Sequence, residues 1–126
     1  MPATNPWRAR IGKRGEELAR LFLEQRGYRI LSSNYRCQWG EVDIIAQDRD
    51  TLVFVEVKLR RSRAFGVAEE AVSRAKAQKL IRCAEQYTSE QNLNVPWRID
   101  LVAIQLEGGN AAPRTTLIQN AVTGDD

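Results

Sequence analysis

The chain has 126 residues, 43% of them apolar and 28% charged, the size and balance of one globular domain. This excludes a disordered chain, a fibrous repeat and a disulfide-built miniprotein, and no apolar run approaches the roughly 20 residues that span a bilayer. The net charge of +3 is uneven: residues 1–82 hold 17 Lys+Arg against 10 Asp+Glu, and residues 83–126 hold 2 against 6.

Residues 1–9, with two prolines, read as a loose arm whose basic character lacks the apolar segment of a secretory signal. From Arg10 to Arg26 the spacing predicts a helix, with Ile11, Gly15, Leu18 and Phe22 on one face, Ala19 beside it and Gly27 as its terminator. Tyr28–Asn34 has strand composition, and Trp39-Gly40 breaks the chain. Glu41–Gln47 and Leu52–Leu59 are strands joined by the tight turn Asp48–Thr51, hence an antiparallel hairpin. A basic loop over 60–66 leads into a helix from Ala68 to Gln91. Its buried stripe is Ala68, Val72, Ala75, Leu80, Ala84 and Tyr87, and Glu69 and Glu70 complement the dipole in its first turn. Trp97–Leu106 is a strand, Gly108-Gly109-Asn110 a turn and Thr115–Val122 the last strand; residues 123–126 fray. The order αβββαββ predicts an α/β domain over 10–122, a mixed central sheet flanked by helices.

The chain has no histidine. Histidine triads, histidine general bases and histidine–zinc hydrolases are therefore excluded, and catalysis would rest on carboxylates, lysine, hydroxyls or a metal ion. Cys37 and Cys83 are too few for a disulfide framework and too isolated for a zinc site. They read as buried or half-buried thiols in a reducing, cytoplasmic compartment.

The strand Val53–Lys58 is apolar on both faces before Glu56 and Lys58 appear on the face of Leu52 and Phe54. With the turn at 48–51, Gln47 falls opposite Leu52, Ile45 opposite Phe54, Asp43 opposite Glu56 and Glu41 opposite Lys58. A one-residue slip would send Asp43 to the other face. In that register two carboxylates and an ammonium converge. The carboxylates must share a proton or hold a cation, and an oxygen-only donor set selects Mg²⁺ or Mn²⁺. Such an ion polarises a phosphoryl oxygen and lowers the pKa of bound water, with Lys58 placed to stabilise developing charge. The alternative is a cross-strand ion pair, Glu41 with Lys58, and a solvated Asp43.

Asp43 followed by Glu56-Val57-Lys58 resembles the D…ExK core of PD-(D/E)xK nucleases, and αβββαβ resembles the restriction-endonuclease-like fold. The segments GKRGEELARLFLEQRGYRIL, NYR, GEVDIIA, VFVEVK, EAV with Lys76, and RIDLVAI are more closely similar to the YraN-like family of small bacterial proteins. That family is usually placed near archaeal Holliday-junction resolvases. The resemblance implies Asp43 and Glu56 as metal ligands, the Val57 carbonyl as a third oxygen, Lys58 as the catalytic lysine, and Glu16 completing the site. Periodicity alone leaves Glu16 and Glu17 open, and position 42 is Val where the motif's name has Pro.

The expected function is a Mg²⁺- or Mn²⁺-dependent endonuclease on branched or single-stranded DNA, in repair or recombination, with RNA left open as substrate. By analogy with junction-cutting enzymes it would be a homodimer, and no membrane is involved. The rivals are a non-catalytic nucleic-acid-binding module and an assembly protein with an ordinary charged surface. Arg36 in Asn34-Tyr35-Arg36, Arg60, Arg61 and Arg63 after the catalytic strand, and Lys76 are candidate phosphate contacts. The plainer alternatives are a core-packing Tyr35, a solvated arginine loop and a Lys76 stem covering apolar surface. Asp100 reads as structural polar pairing.

Overall fold

The structure, a computed structural model, describes residues 6–60, 73–108 and 111–122. The elements run α1 (Pro6–Gln25), β1 (Arg29–Cys37), β2 (Gly40–Asp48), β3 (Thr51–Arg60), α2 (Arg74–Glu90), β4 (Trp97–Gln105) and β5 (Arg114–Val122). The strands form one sheet in the order β1-β2-β3-β4-β5, antiparallel except for the parallel pair β3–β4, whose crossover carries α2. This is the expected mixed α/β fold.

Two apolar layers sandwich the sheet. Ala19 and Leu23 of α1 lie on Ile44, Ala46, Val53, Val55, Val102 and Ile104. Leu80, Cys83 and Ala84 of α2 lie on Val42, Ile45, Leu52, Phe54 and Ile99. Phe54 is fully buried and meets Tyr87 and Trp97 edge-on, with ring centroids 5.7 and 5.9 Å away. β3 and β4 are apolar on both faces because each is covered on both faces.

Local chemistry sets the ends of these elements. Gly27, at φ +90°, closes α1: its N–H donates to Glu24 O and the Tyr28 N–H to Leu23 O, both at 3.0 Å. This is a Schellman termination, with Tyr28 and Leu23 packed in one core. The helix starts earlier than the expected Arg10, at Pro6, because proline suits a first helical position, where no N–H is needed. Residues 6–9 are thus helical; the rest of the expected arm, 1–5, and the expected frayed end, 123–126, lie outside the described residues. The helix expected from Ala68 is capped at Ser73, whose backbone is extended and whose Oγ accepts from the Lys76 N–H at 3.2 Å. Ala75 is exposed rather than part of the buried stripe, whereas Cys83 is buried. Ala68, Glu69, Glu70 and Val72 lie outside the described residues.

Asp100 is fully buried in β4 and fully partnered, as expected of a structural carboxylate. It accepts from Arg98 Nε (3.0 Å), the Tyr28 hydroxyl (3.1 Å) and the Asn120 N–H (2.9 Å). Arg98 also pairs with Asp48 at 2.9 Å.

The cysteines correct the sequence reading. Cys37, at the end of β1, and Cys83, on the buried side of α2, form a disulfide with Cα atoms 5.7 Å apart across 46 residues of sequence. Nothing local to either cysteine signals the pairing; it follows from α2 docking over the β1–β2 hairpin. Reduction should lower stability by about 2–4 kcal/mol for a loop of this length. The expected readout is a lower urea midpoint for the wild type in dithiothreitol and no effect of reductant on the Cys37→Ala/Cys83→Ala double variant. An unchanged wild-type midpoint would mean that the two sulfurs are not bonded in solution.

Candidate active site

The β2–β3 ladder follows the expected register from Asp48↔Thr51 through Gln47↔Leu52 and Ile45↔Phe54, and its pairing runs as far as Ile44↔Val55. The two further pairs expected from the sequence, Asp43 with Glu56 and Glu41 with Lys58, lie beyond it. There the strands part, and the Val57 N–H donates to Asp43 Oδ2 at 2.8 Å. A side-chain carboxylate takes the place of a strand carbonyl.

The parting has a local origin in β1 and β2. Asn34 has a left-handed backbone, φ +54°. Ser33 pairs with Ile44 and Tyr35 with Val42 on either side of it. Val42 packs in the α2-side core and Ile44 in the α1-side core, so the two-residue alternation fails at Asp43. The expectation that strand alternation alone sets Asp43 on the face of Glu56 and Lys58 is therefore corrected, although the Asp43 and Glu56 carboxyls meet as expected. Glu56 continues the Phe54 face towards α2, and Lys58, half-buried two residues on, follows it. Asp43 stands at the seam and opens towards α1.

The seam is electrostatically loaded. The Asp43 carboxyl is pushed up to about 7, first by burial and then by the Glu56 carboxylate beside it, against the pull of the Val57 N–H and the Lys76 ammonium. Glu56 is only 7% exposed, and its buried Oε2 accepts no hydrogen bond. Lys76 Nζ lies 3.2 Å from that oxygen as an ion-pair contact. A buried carboxylate, with an oxygen short of hydrogen-bond donors, beside a half-buried one suits a hard divalent cation such as Mg²⁺ or Mn²⁺. Asp43 and Glu56, with the neighbouring Val57 carbonyl, are the residues that would hold it. Among the described residues, no group of three or more acidic, cysteine or histidine side chains forms a metal cluster.

An open cleft of about 440 Å³ lies on the α1 side of the seam, walled by Lys13, Gly15, Glu16, Asn34, Glu41, Asp43, Val57 and Leu59. The structure thus separates Glu16 from Glu17. Glu16 is half-buried in the cleft and accepts from Asn34 Nδ2 at 3.3 Å, whereas Glu17 lines an outer groove with Arg20, Leu21 and Glu24. Gly15 faces Leu59, where an added Cβ would meet a Leu59 methyl at 3.6 Å, an ordinary contact. Lys13 and Asn34 were not singled out as cleft residues from the sequence. An asparagine within a strand, where it is disfavoured, is the signal that could have found Asn34.

The other expected contacts are dispersed. Tyr35 turns inward, edge-on to Tyr87 with centroids 5.2 Å apart, and its hydroxyl donates to Glu90 at 2.7 Å; this is the core-packing reading. Arg36 is exposed in β1 opposite Glu41, and Arg60 is exposed at the end of β3. Arg61 and Arg63 lie outside the described residues.

Because the folded Asp43 holds its proton to about pH 7, it contributes stability that is fully present below about pH 4 and is lost as pH rises through 7. Asp43→Asn keeps an acceptor for Val57 and removes the titration. Relative to that variant, wild type should lose on the order of 2 kcal/mol of unfolding free energy between pH 4 and 8. Parallel pH–stability curves for the two proteins, from urea unfolding, would contradict the buried acid.

A family model described as "Uncharacterised protein family UPF0102" matches residues 15–104. A UPF0102 protein of Caldicellulosiruptor saccharolyticus is 45% identical over 112 residues, covering 88% of this chain and 95% of the relative. One of Symbiobacterium thermophilum is 45% identical over 113 residues, covering 89% and 95%. One of Vibrio campbellii is 40% identical over 116 residues, covering 90% and 92%. With most of its length matched in this way, the chain belongs to the UPF0102 family, the YraN-like family of bacterial proteins.

Proposed function

We propose that this protein is a divalent-metal-dependent nuclease that hydrolyses DNA phosphodiester bonds, with branched or single-stranded DNA as the favoured substrate. The observation that carries the reading is the seam at Asp43, where its half-buried carboxyl meets the buried Glu56 carboxylate at the mouth of an acidic cleft between parted strands. A bound Mg²⁺ or Mn²⁺ would supply charge neutralisation at the scissile phosphate and a more acidic water.

The chain's own residues divide the remaining work. The Val57 N–H fixes the orientation of Asp43, and burial in β3 fixes Glu56. Glu16, on the cleft wall, is placed to orient a water or accept its proton. Lys58 and Lys76 lie towards α2 and supply positive charge for the anionic transition state. Lys79 and Arg82 extend this charge along α2, and the Arg82 guanidinium stands 5.6 Å from the Trp39 ring centroid, forming a basic and aromatic surface for a phosphate backbone. That surface would also serve the second reading, a binding module without catalysis.

No described helix is long and apolar enough to cross a membrane. A cytoplasmic location would suit a DNA substrate; at the reducing poise there, the Cys37–Cys83 pair would be a dithiol.

Purified protein with Mn²⁺ should cut at least one of labelled branched, nicked or single-stranded DNA. Asp43→Ala, Glu56→Ala and Lys58→Ala should each lower the rate by about 100-fold or more. A binding-only module would show salt-dependent DNA binding that survives Asp43→Ala, with no Mn²⁺-induced rise in melting temperature. Absence of cleavage across the panel would favour that module.

A further inference from the structure

Lys76 stands where helix chemistry disfavours it. With Ser73 as cap, it is the third residue of α2, in a first turn that holds Arg74 and Lys76 and no acid. Cations at a helix N-terminus oppose the dipole, so the placement must be compensated elsewhere. The compensation is Glu56. Its side chain is 9% exposed, its Oε2 accepts no hydrogen bond, and the Lys76 ammonium sits 3.2 Å away on a side chain that is 44% exposed. The ammonium end lies against a buried carboxylate while much of the side chain is in water. Such an arm can leave without opening the core.

We infer that Lys76 is a tethered counter-ion that holds the divalent cation's place at Glu56 and competes with the cation for that carboxylate. This rests on reading Asp43 and Glu56 as a cation site and adds its regulation. In the metal-free protein the ammonium offsets the acidic pair. When the cation is bound, Lys76 is displaced from Glu56 and its charge becomes available on the basic face of α2. Lys76 is thus a positioning residue that sets the threshold for metal loading.

The test is Mn²⁺ binding, by calorimetry at pH 8, to wild type, Lys76→Met, Lys76→Arg and Asp43→Ala, with melting temperatures measured with and without Mn²⁺. Methionine keeps the apolar stem and removes the charge; Lys76→Gln is a second neutral variant should the first fold poorly. Lys76→Met should bind Mn²⁺ about 3- to 10-fold more tightly than wild type. It should melt lower without metal and approach the wild type with metal, while Lys76→Arg should bind as wild type does. If wild type binds Mn²⁺ and the neutral variants bind it equally or more weakly, the competition is overturned while the cation site stands. If wild type fails to bind, or Asp43→Ala binds equally well, the cation site itself falls and the competition falls with it.

Discussion

The local structure of the site depends on one hydrogen bond, from the Val57 N–H to the Asp43 carboxylate. A central strand must satisfy its backbone donors, and an N–H orphaned by a departing neighbour is costly. By giving Val57 a side-chain acceptor, Asp43 allows β2 to turn away from β3 without leaving a buried donor unpaired. The opened seam becomes a cleft, and the acceptor that permits it is a half-buried acid. Its raised pKa and its coupling to Glu56 follow from that location.

The site draws on both layers of the fold. From one side α1, packed with Gly15 against Leu59, presents Glu16 to the cleft. From the other, α2 presents Lys76 to Glu56. Cys37 and Cys83, bonded when oxidised, join the hairpin end of β1 to the middle of α2, the helix that carries Lys76. Rigidity of the apolar sheet beneath, with Phe54 and Val55 fully buried just before Glu56, keeps the acidic pair from relaxing into solvent.

Much of this was legible in the sequence, for identifiable reasons. The β2–β3 hairpin was readable because alternation and a four-residue turn leave one register that buries Ile45 and Phe54 together. Gly27 was readable because a left-handed terminator after an apolar stripe has few other uses. The facing of Asp43 was not readable, since it turns on Asn34 and on a ladder that ends early, and strand arithmetic assumes that the ladder continues. The disulfide was hidden because it depends on where α2 docks, a tertiary fact. The capped start of α2 at Ser73 was hidden because the apolar periodicity of the sequence continues through it.

The contrast between Asp100 and the pair Asp43 and Glu56 bears most directly on function. Asp100 accepts from Arg98, Tyr28 and Asn120, so its burial is compensated bond for bond, and its role ends with the fold. Asp43 and Glu56 sit side by side, Asp43 accepting from the Val57 N–H and Glu56 facing the Lys76 ammonium. An asparagine at 43 would accept the Val57 N–H as well, and a glutamine at 56 would bury with less strain, because neither carries charge. The fold therefore needs an acceptor at Asp43 and does not need acids at these positions. Two adjacent acids kept at the seam at a cost to stability set it apart from the compensated Asp100.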